Sequence, residues 1–456
     1  MISKLSSLLL VSIFFLSGCT VKSDVIQSDS SISSSQSGAS VENNQSEKAL
    51  ESSNSYDYTV AAAFDMVTRG SGNENGFYQI VSNENGYANL FYTDYTTANR
   101  VYLCGVPNCA HNTTTCTSYI DNTDFSVFPA VYKDYLFLIY SSYSTWSNEP
   151  VPSRVECMDL NGGNRHVLFT FDSDITLNDG AIVGNNELVI SGYKIDYTGD
   201  SINSVPFIGA INIDFGTYHE IYSLSDVTTQ EQTNLFLRGV SDTGFILKTV
   251  SMKDNTDSSK STSRIFELSF DGKNETDLLT FSGTTCFEEH NGRELVYLRF
   301  DPHGVSLYKR SRQSNQEEQV AENILDFSCV RKTDLPYNQD NLYIVGFVGD
   351  YVLLNHLYDE KYDEYGNIAL YYTQYAVNLT NGSSKEITLY NNIMATQKPI
   401  NIITKFGDSL LVDAVEEIID GIAYRCPAII TDENYLKSNP QYIMIQSPID
   451  ESLQLY

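Results

Sequence analysis

The chain has 456 residues, of which 12% are aromatic, with 32 Tyr and 22 Phe, while only 19% are charged. Its formal net charge is −30; such a surface repels phosphate backbones and lacks the basic footprint that nucleic-acid binding needs. The same field disfavours unassisted docking on anionic lipid, and its plain consequence is solubility.

Residues 1–19 read MISKLSSLLLVSIFFLSGC. Lys4 supplies a minimal positive region, and Leu8 to Leu16 form an apolar run broken only by Ser12. That run is shorter than the roughly 20 residues of a membrane-spanning helix, and it fits the core of an export signal. It ends in Leu16-Ser17-Gly18-Cys19, which resembles the bacterial lipobox, an apolar residue followed by two small ones and a cysteine. The resemblance implies a signal peptide of residues 1–18, cleavage before Cys19 and diacylglycerol on its thiol. Two acyl chains hold a protein stably in a bilayer, at about 0.8 kcal/mol per buried methylene. An ordinary signal peptide with an incidental cysteine is the alternative. The expected location is the extracellular face of the cell membrane, with the bilayer itself as the partner of the acylated Cys19.

Residues 19–55 follow, with 13 Ser in the 36 positions after Cys19. Their apolar content is too low to offset ordering entropy, so the segment reads as a disordered tether. A flexible chain of that length spans roughly 30–35 Å.

From residue 56 to 456 one unit recurs: a Tyr-, Phe- and Val-rich strand, a turn of the form Asp-x-x-Gly or a relative, and a second apolar strand. It appears at 89–103, 153–171, 207–224, 263–281, 305–321, 370–389 and 424–445. The turn anchors are Asp94, Asp159, Asp214, Asp271, Asn378 and Asp432, and the fifth unit has no acidic anchor near Arg312. Such residues tolerate left-handed backbone angles and bond their own backbone. Further strand pairs, such as 128–142 and 403–415, lie between these hairpins. Each unit is therefore four strands, recurring every 42 to 65 residues. An antiparallel four-stranded unit at that spacing predicts an all-β fold, a β-propeller of seven blades. A pair of β-sandwiches is the alternative.

The first unit is followed by Cys104-Gly-Val-Pro107-Asn-Cys109-Ala-His111-Asn-Thr-Thr-Thr-Cys116. Three thiols and one imidazole within 13 residues suit a closed, structural Zn²⁺ site of Cys₃His type. Cys109 and His111, two apart, would point the same way from an extended segment. A disulfide among Cys104, Cys109 and Cys116 is the rival reading, since exported proteins favour disulfides; redox chemistry is weaker without C-x-x-C. Cys157, Cys286, Cys329 and Cys426 read as buried free thiols.

Two acidic loops, Asp172 to Gly180 and Asp359 to Asn367, carry oxygen ligands near Gly, but neither has EF-hand spacing, and solvated loops are expected. Tyr-rich runs such as Tyr140 to Tyr143 and Tyr371 to Tyr375 read as strand packing before sugar stacking. His166, His219, His290, His303 and His356 are scattered. No nucleophile elbow, H-E-x-x-H or P-loop occurs; Gly239-Val-Ser241-Asp-Thr-Gly244 has the wrong spacing. Recurring-Trp blades are excluded by the single Trp146.

The stretch Met158 to Asn164 resembles the Met-Asp-x-Asp-Gly-Gly repeat of TolB-like propellers. The combination of lipobox, Ser-rich tether and repeat is similar to a family of TolB-like β-propeller lipoproteins of Gram-positive bacteria, some of which carry a Cys-Pro-Cys-His cluster after the first blade. That family implies no catalytic residues. The expectation is a non-catalytic binding or scaffold module for an envelope protein, peptide or glycan. The alternatives are a polysaccharide hydrolase or lyase, and an accessory sensory or assembly subunit beside a transporter or receptor.

Overall fold

The computed structural model describes residues 56–453 apart from 63–69, 83–85, 122–124, 143–150, 199–200, 225–231, 253–260, 283–286, 291–292, 302–303, 313, 339–340, 363–367, 394–395, 420–421 and 449–451. The expected signal peptide, Cys19 and the tether lie outside the described residues.

Seven antiparallel sheets form a seven-bladed β-propeller. Blade 1 comprises Gly70–Gly72, Gly76–Ser82, Ala88–Asp94 and Asn99–Tyr102; blade 2 comprises Phe125–Tyr132, Tyr135–Ser142, Arg154–Asp159 and His166–Thr170. Blade 3 is Ala181–Gly184, Glu187–Thr198, Ser201–Asn212 and Tyr218–Ser223; blade 4 is Gln232–Val240, Gly244–Met252, Thr262–Ser269 and Glu275–Ser282. Blade 5 runs through Phe287–His290, Glu294–Asp301, Gly304–Ser311 and Glu317–Ala321, and blade 6 through Leu342–Val348, Tyr351–Tyr362, Ile368–Asn378 and Ser384–Ile387. Blade 7 holds Asn401–Phe406, Ser409–Ile419, Ile422–Thr431 and the short Ile443–Met444.

In each blade the first strand lies innermost. Burial along Phe125–Tyr132 is complete, whereas the fourth strand of the same blade, His166–Thr170, is largely exposed. The alternating apolar residues of the inner strands face neighbouring blades and fill the gaps between them. Seven apolar clusters result, one per interface: Leu138 and Leu90 between blades 2 and 1, Ile139 and Ile190 between 2 and 3, and so on to Leu411 and Phe77 between 7 and 1. Each fully buried Leu, Ile or Phe contributes about 1.5–3 kcal/mol, so the ring is held mainly by these seams.

The turns between third and fourth strands explain the recurrent Asp-x-x-Gly pattern. Gly162, Gly216, Gly272 and Gly382 have φ of +83°, +61°, +72° and +67°. Each also presses its Cα on a carbonyl of the preceding blade's outer edge. A Cβ at Gly216, Gly272 or Gly382 would sit 2.5, 2.1 or 2.5 Å from the oxygens of Leu168, Ile221 and Val320, and at Gly162 3.0 Å from that of Leu103. The glycine therefore serves the turn and the seam together. Asp94 and Asn378 act as expected, accepting from Thr97 and from Thr380 and Asn381 backbone N–H groups. Blade 7 departs from the pattern: its turn is the short helix Asp432–Leu436, capped by the Thr431 hydroxyl. Among the described residues no helix is long and apolar enough to cross a membrane.

A strand from the N-terminal side enters the ring itself. Thr59–Ala62 pairs antiparallel with the inner edge of blade 3, Thr59 opposite Val183 and Ala62 opposite Ala181. It also lies against the innermost strands of blades 1, 2 and 4, and so occupies the central channel beside them. The Ser71 hydroxyl of blade 1 donates to the Ala61 carbonyl and accepts from the Val131 N–H of blade 2 at 3.0 Å. The chain enters at the end of the ring that carries the first-to-second and third-to-fourth strand turns. There Asp57 accepts from the Asn185 N–H at 2.7 Å and the Tyr132 hydroxyl at 3.0 Å; the Asn185 bond leads in holding its carboxyl below the ordinary value. Tyr58 packs on Phe245 and Phe270 and donates to Glu187 at 2.7 Å. The repeat pattern implied loops converging on a central channel; this part of that channel is filled by the chain itself.

Candidate metal centre

The connection from the outer strand of blade 1 to the inner strand of blade 2 brings Cys104, Cys109, His111 and Cys116 together, with one ligand atom from each within 4.8 Å of the others. Among the described residues this is the one gathering of three or more His, Cys, Asp or Glu side chains able to hold a metal ion. The loop reaches this shape through successive turns. The Cys109 N–H donates to the Val106 carbonyl at 3.4 Å, with Pro107 second and Asn108 third at φ +56°, the residue signature of a type II turn. His111 also has positive φ, +55°. The expected extended path from Cys109 to His111 is thus replaced by a left-handed residue, a conformation in which His is over-represented. A further turn closes Cys116 N–H on the Thr113 carbonyl at 3.0 Å.

The surroundings fix the loop on two blades. Asn89 of blade 1 donates to the His111 carbonyl at 2.8 Å, and the Thr117 hydroxyl donates to the Leu103 carbonyl at 2.8 Å. Arg165 of blade 2 donates to the carbonyls of Thr117 and Tyr119 at 2.9 and 2.8 Å. Tyr102 stacks flat on the His111 ring, centroids 3.9 Å apart and planes 8° from parallel. His111 Nδ1 is 3.3 Å from Cys116 Sγ, which also lies 3.1 Å from the Ser118 hydroxyl. Cys116 is buried and the other three are half-buried.

Burial works to raise the Cys104 thiol, but hydrogen bonds, led by that from the Val106 N–H, outweigh it and hold it below the ordinary thiol value. Burial raises Cys116 and lowers His111. Burial therefore favours the neutral imidazole, the form a metal needs. The donor set fits a tetrahedral ion: Zn–S bonds of about 2.3 Å imply sulfur separations of about 3.8 Å, a small contraction from the present spacing.

The other sequence candidates stay apart. Cys157 is buried, its thiol pushed up to about 11 by burial; Cys329 lies 3.5 Å from the Ser384 hydroxyl. Cys104, Cys109, Cys116, Cys157 and Cys329 are free thiols, and Cys286 lies outside the described residues. His166 is exposed and bonded to the Asn164 carbonyl, His219 sits 3.9 Å from Glu187, and His303 and the side chain of His290 lie outside the described residues. His356 is fully buried and neither ring nitrogen has a partner, which no sequence signal announced. Asp172 and Asp174 use backbone carbonyls to cap the Ile175 and Ile195 N–H groups. Much of the second acidic loop, 363–367, lies outside the described residues. Tyr140 and Tyr375 are buried strand residues.

No protein-family profile and no curated protein matches the chain. Solved structures do resemble it. An oligogalacturonate lyase in complex with manganese is 11% identical, over 82% of this chain and 88% of that one, with a TM-score of 0.41. TolB from Acinetobacter baumannii is 10% identical, over 82% and 80%, at 0.33. The β-propeller domain of the trilobed protease from Pyrococcus furiosus is 12% identical, over 67% and 81%, at 0.33. At these scores the likenesses carry no argument about this chain's chemistry.

Proposed function

We propose that the chain is a lipoprotein of the bacterial cell envelope, anchored through Cys19, whose propeller is a non-catalytic binding or scaffold module for a protein, peptide or glycan. The observation that carries this reading is the closed donor set: four protein ligands leave a bound ion no open position for substrate. A Zn²⁺ held by Cys104, Cys109, His111 and Cys116 would brace the loop and supply no chemistry to a ligand. The rigid surface left for partners is the two ends of the ring, since Thr59–Ala62 takes up channel space.

The test is capture from envelope extracts with the lipidated protein, beside Cys19→Ala. Cys19→Ala is expected to abolish incorporation of labelled fatty acid and to release the protein from membranes. An enriched partner or a bound glycan supports the module; turnover of a polysaccharide with neither would overturn it.

A further inference from the structure

Where residues 117–119, on the connection from blade 1, meet blade 2, two guanidiniums share one carboxylate. Arg165 Nε donates to Glu156 Oε2 at 2.8 Å, and Arg154 Nε donates to Glu156 Oε1 at 2.9 Å. Among the described ion pairs this is the one place where cations outnumber the acid they share, in a chain of net charge −30. Glu156 is buried and fully engaged, accepting also from the Tyr140 hydroxyl at 3.4 Å. Arg165 is committed to the fold: its terminal nitrogens donate to the Thr117 and Tyr119 carbonyls and to the Tyr140 hydroxyl at 2.7 Å.

Arg154 is different. Its Nε is tied to Glu156, and its guanidinium carbon lies over the Tyr140 ring, 3.9 Å from the centroid, and 4.8 Å from that of Phe125. Its two terminal nitrogens have no partner among the described residues, and the side chain is 24% exposed. The fork is thus held in one orientation, loses little entropy on engagement, and retains its donors for a planar acceptor.

We propose that Arg154 is the anion-recognition group of a surface ligand site beside residues 117–119, and that its ligand is a small molecule with a single carboxylate. The guanidinium fork matches a carboxylate in two parallel hydrogen bonds. The strongly acidic field of the chain penalises every further negative charge on a ligand, which sets a monoanion ahead of a polyanion. The proposal deepens the binding-module reading and rests on it.

The test is titration calorimetry of the purified full chain with acetate, lactate and glucuronate, each against its neutral amide. At least one acid is expected to bind and its amide not to. Arg154→Gln is expected to weaken binding by roughly tenfold or more, the loss of about one charge-assisted hydrogen bond. Arg154→Lys, which keeps charge but not the fork, should recover only part. Glu156 keeps Arg165 in both variants, so both should fold, as unchanged circular dichroism would verify. No binding of any acid, or equal binding by Arg154→Gln, overturns the proposal. If envelope partners are still captured in that case, the module reading survives; if neither partner nor acid binds, both fall.

Discussion

Tyr95 of blade 1 and Phe406 of blade 7 stack face to face, centroids 3.6 Å apart and planes 5° from parallel. They sit where the last blade meets the first. Among the described residues no strand is exchanged between these blades, and side chains and a few backbone bonds join them. Gln446 joins the two, donating to the Ala98 carbonyl and accepting from the Arg100 N–H, both at 2.8 Å. Arg100 is buried, and burial pushes its guanidinium down to about 10 against the attraction of Asp413 in blade 7.

Removing either contact should loosen closure first. Phe406→Ala is expected to cost about 2–4 kcal/mol. Asp413→Asn is expected to be destabilising, because the buried Arg100 cation loses an attracting charge. Hydrogen exchange should rise in Asn99–Tyr102 and Asn401–Phe406 before other blades. Exchange that rises evenly around the ring would show that this junction is no weaker than the rest.

The turn glycines allow a controlled comparison. Gly86 and Gly272 have similar positive φ, +81° and +72°. A Cβ at Gly86 meets nothing within 4 Å, while one at Gly272 falls 2.1 Å from the Ile221 carbonyl oxygen. Gly86→Ala should cost about 1 kcal/mol from backbone strain alone. Gly272→Ala should cost about 2–4 kcal/mol because the seam between blades 3 and 4 must also open. Urea denaturation of both variants measures the difference; equal costs would mean that φ alone selects glycine.

His356 makes the fold acid-sensitive. It is buried beside Tyr337 and Tyr375, and burial pushes its imidazole down to about 4. In the unfolded chain the same group takes up a proton near pH 6.5. Its contribution is therefore complete above about pH 6.5 and is lost as pH falls towards 4, by about 2 kcal/mol at pH 5. His356→Phe removes both the titration and two unsatisfied nitrogens. It should be as stable as the parent or more so at pH 7, with a smaller loss of stability between pH 7 and 5. Parallel curves for parent and variant would assign the acid sensitivity to other groups.

The metal centre predicts one Zn²⁺ per chain by elemental analysis, with Cys104, Cys109 and Cys116 unreactive to thiol reagents until a chelator is added. Chelation should then lower stability by about 3 kcal/mol, as expected for an ion at a hundredfold its Kd. Cys104→Ser should abolish binding and mimic the chelated protein. Two thiols that stay unreactive after chelation, with no metal present, would mean a disulfide instead.

The blades were legible because their seams repeat: the marked strand pairs of blades 1 to 6 are third-and-fourth-strand hairpins, and in blade 7 a short helix takes the place of the turn. The gathering of Cys104, Cys109, His111 and Cys116 was legible because they are close in sequence and chemically rare. Arg154, Glu156 and Arg165 were not, since their meaning comes from Tyr140 and the 117–119 loop, which reach them from other elements. His356 carries no local signal because its burial depends on packing against Tyr337. The strand Thr59–Ala62 was missed for the same reason: four residues have no period, and their partner lies more than a hundred residues away.

The position of that strand decides how the domain would bear a pull on its N-terminus. Strain entering at Tyr56 runs along the hydrogen bonds joining Thr59–Ala62 to Ala181–Gly184, loading them together in shear instead of one at a time. A tug transmitted from an anchored leader would thus be resisted at the hub of the wheel, where several blades grip the strand, and not at its rim.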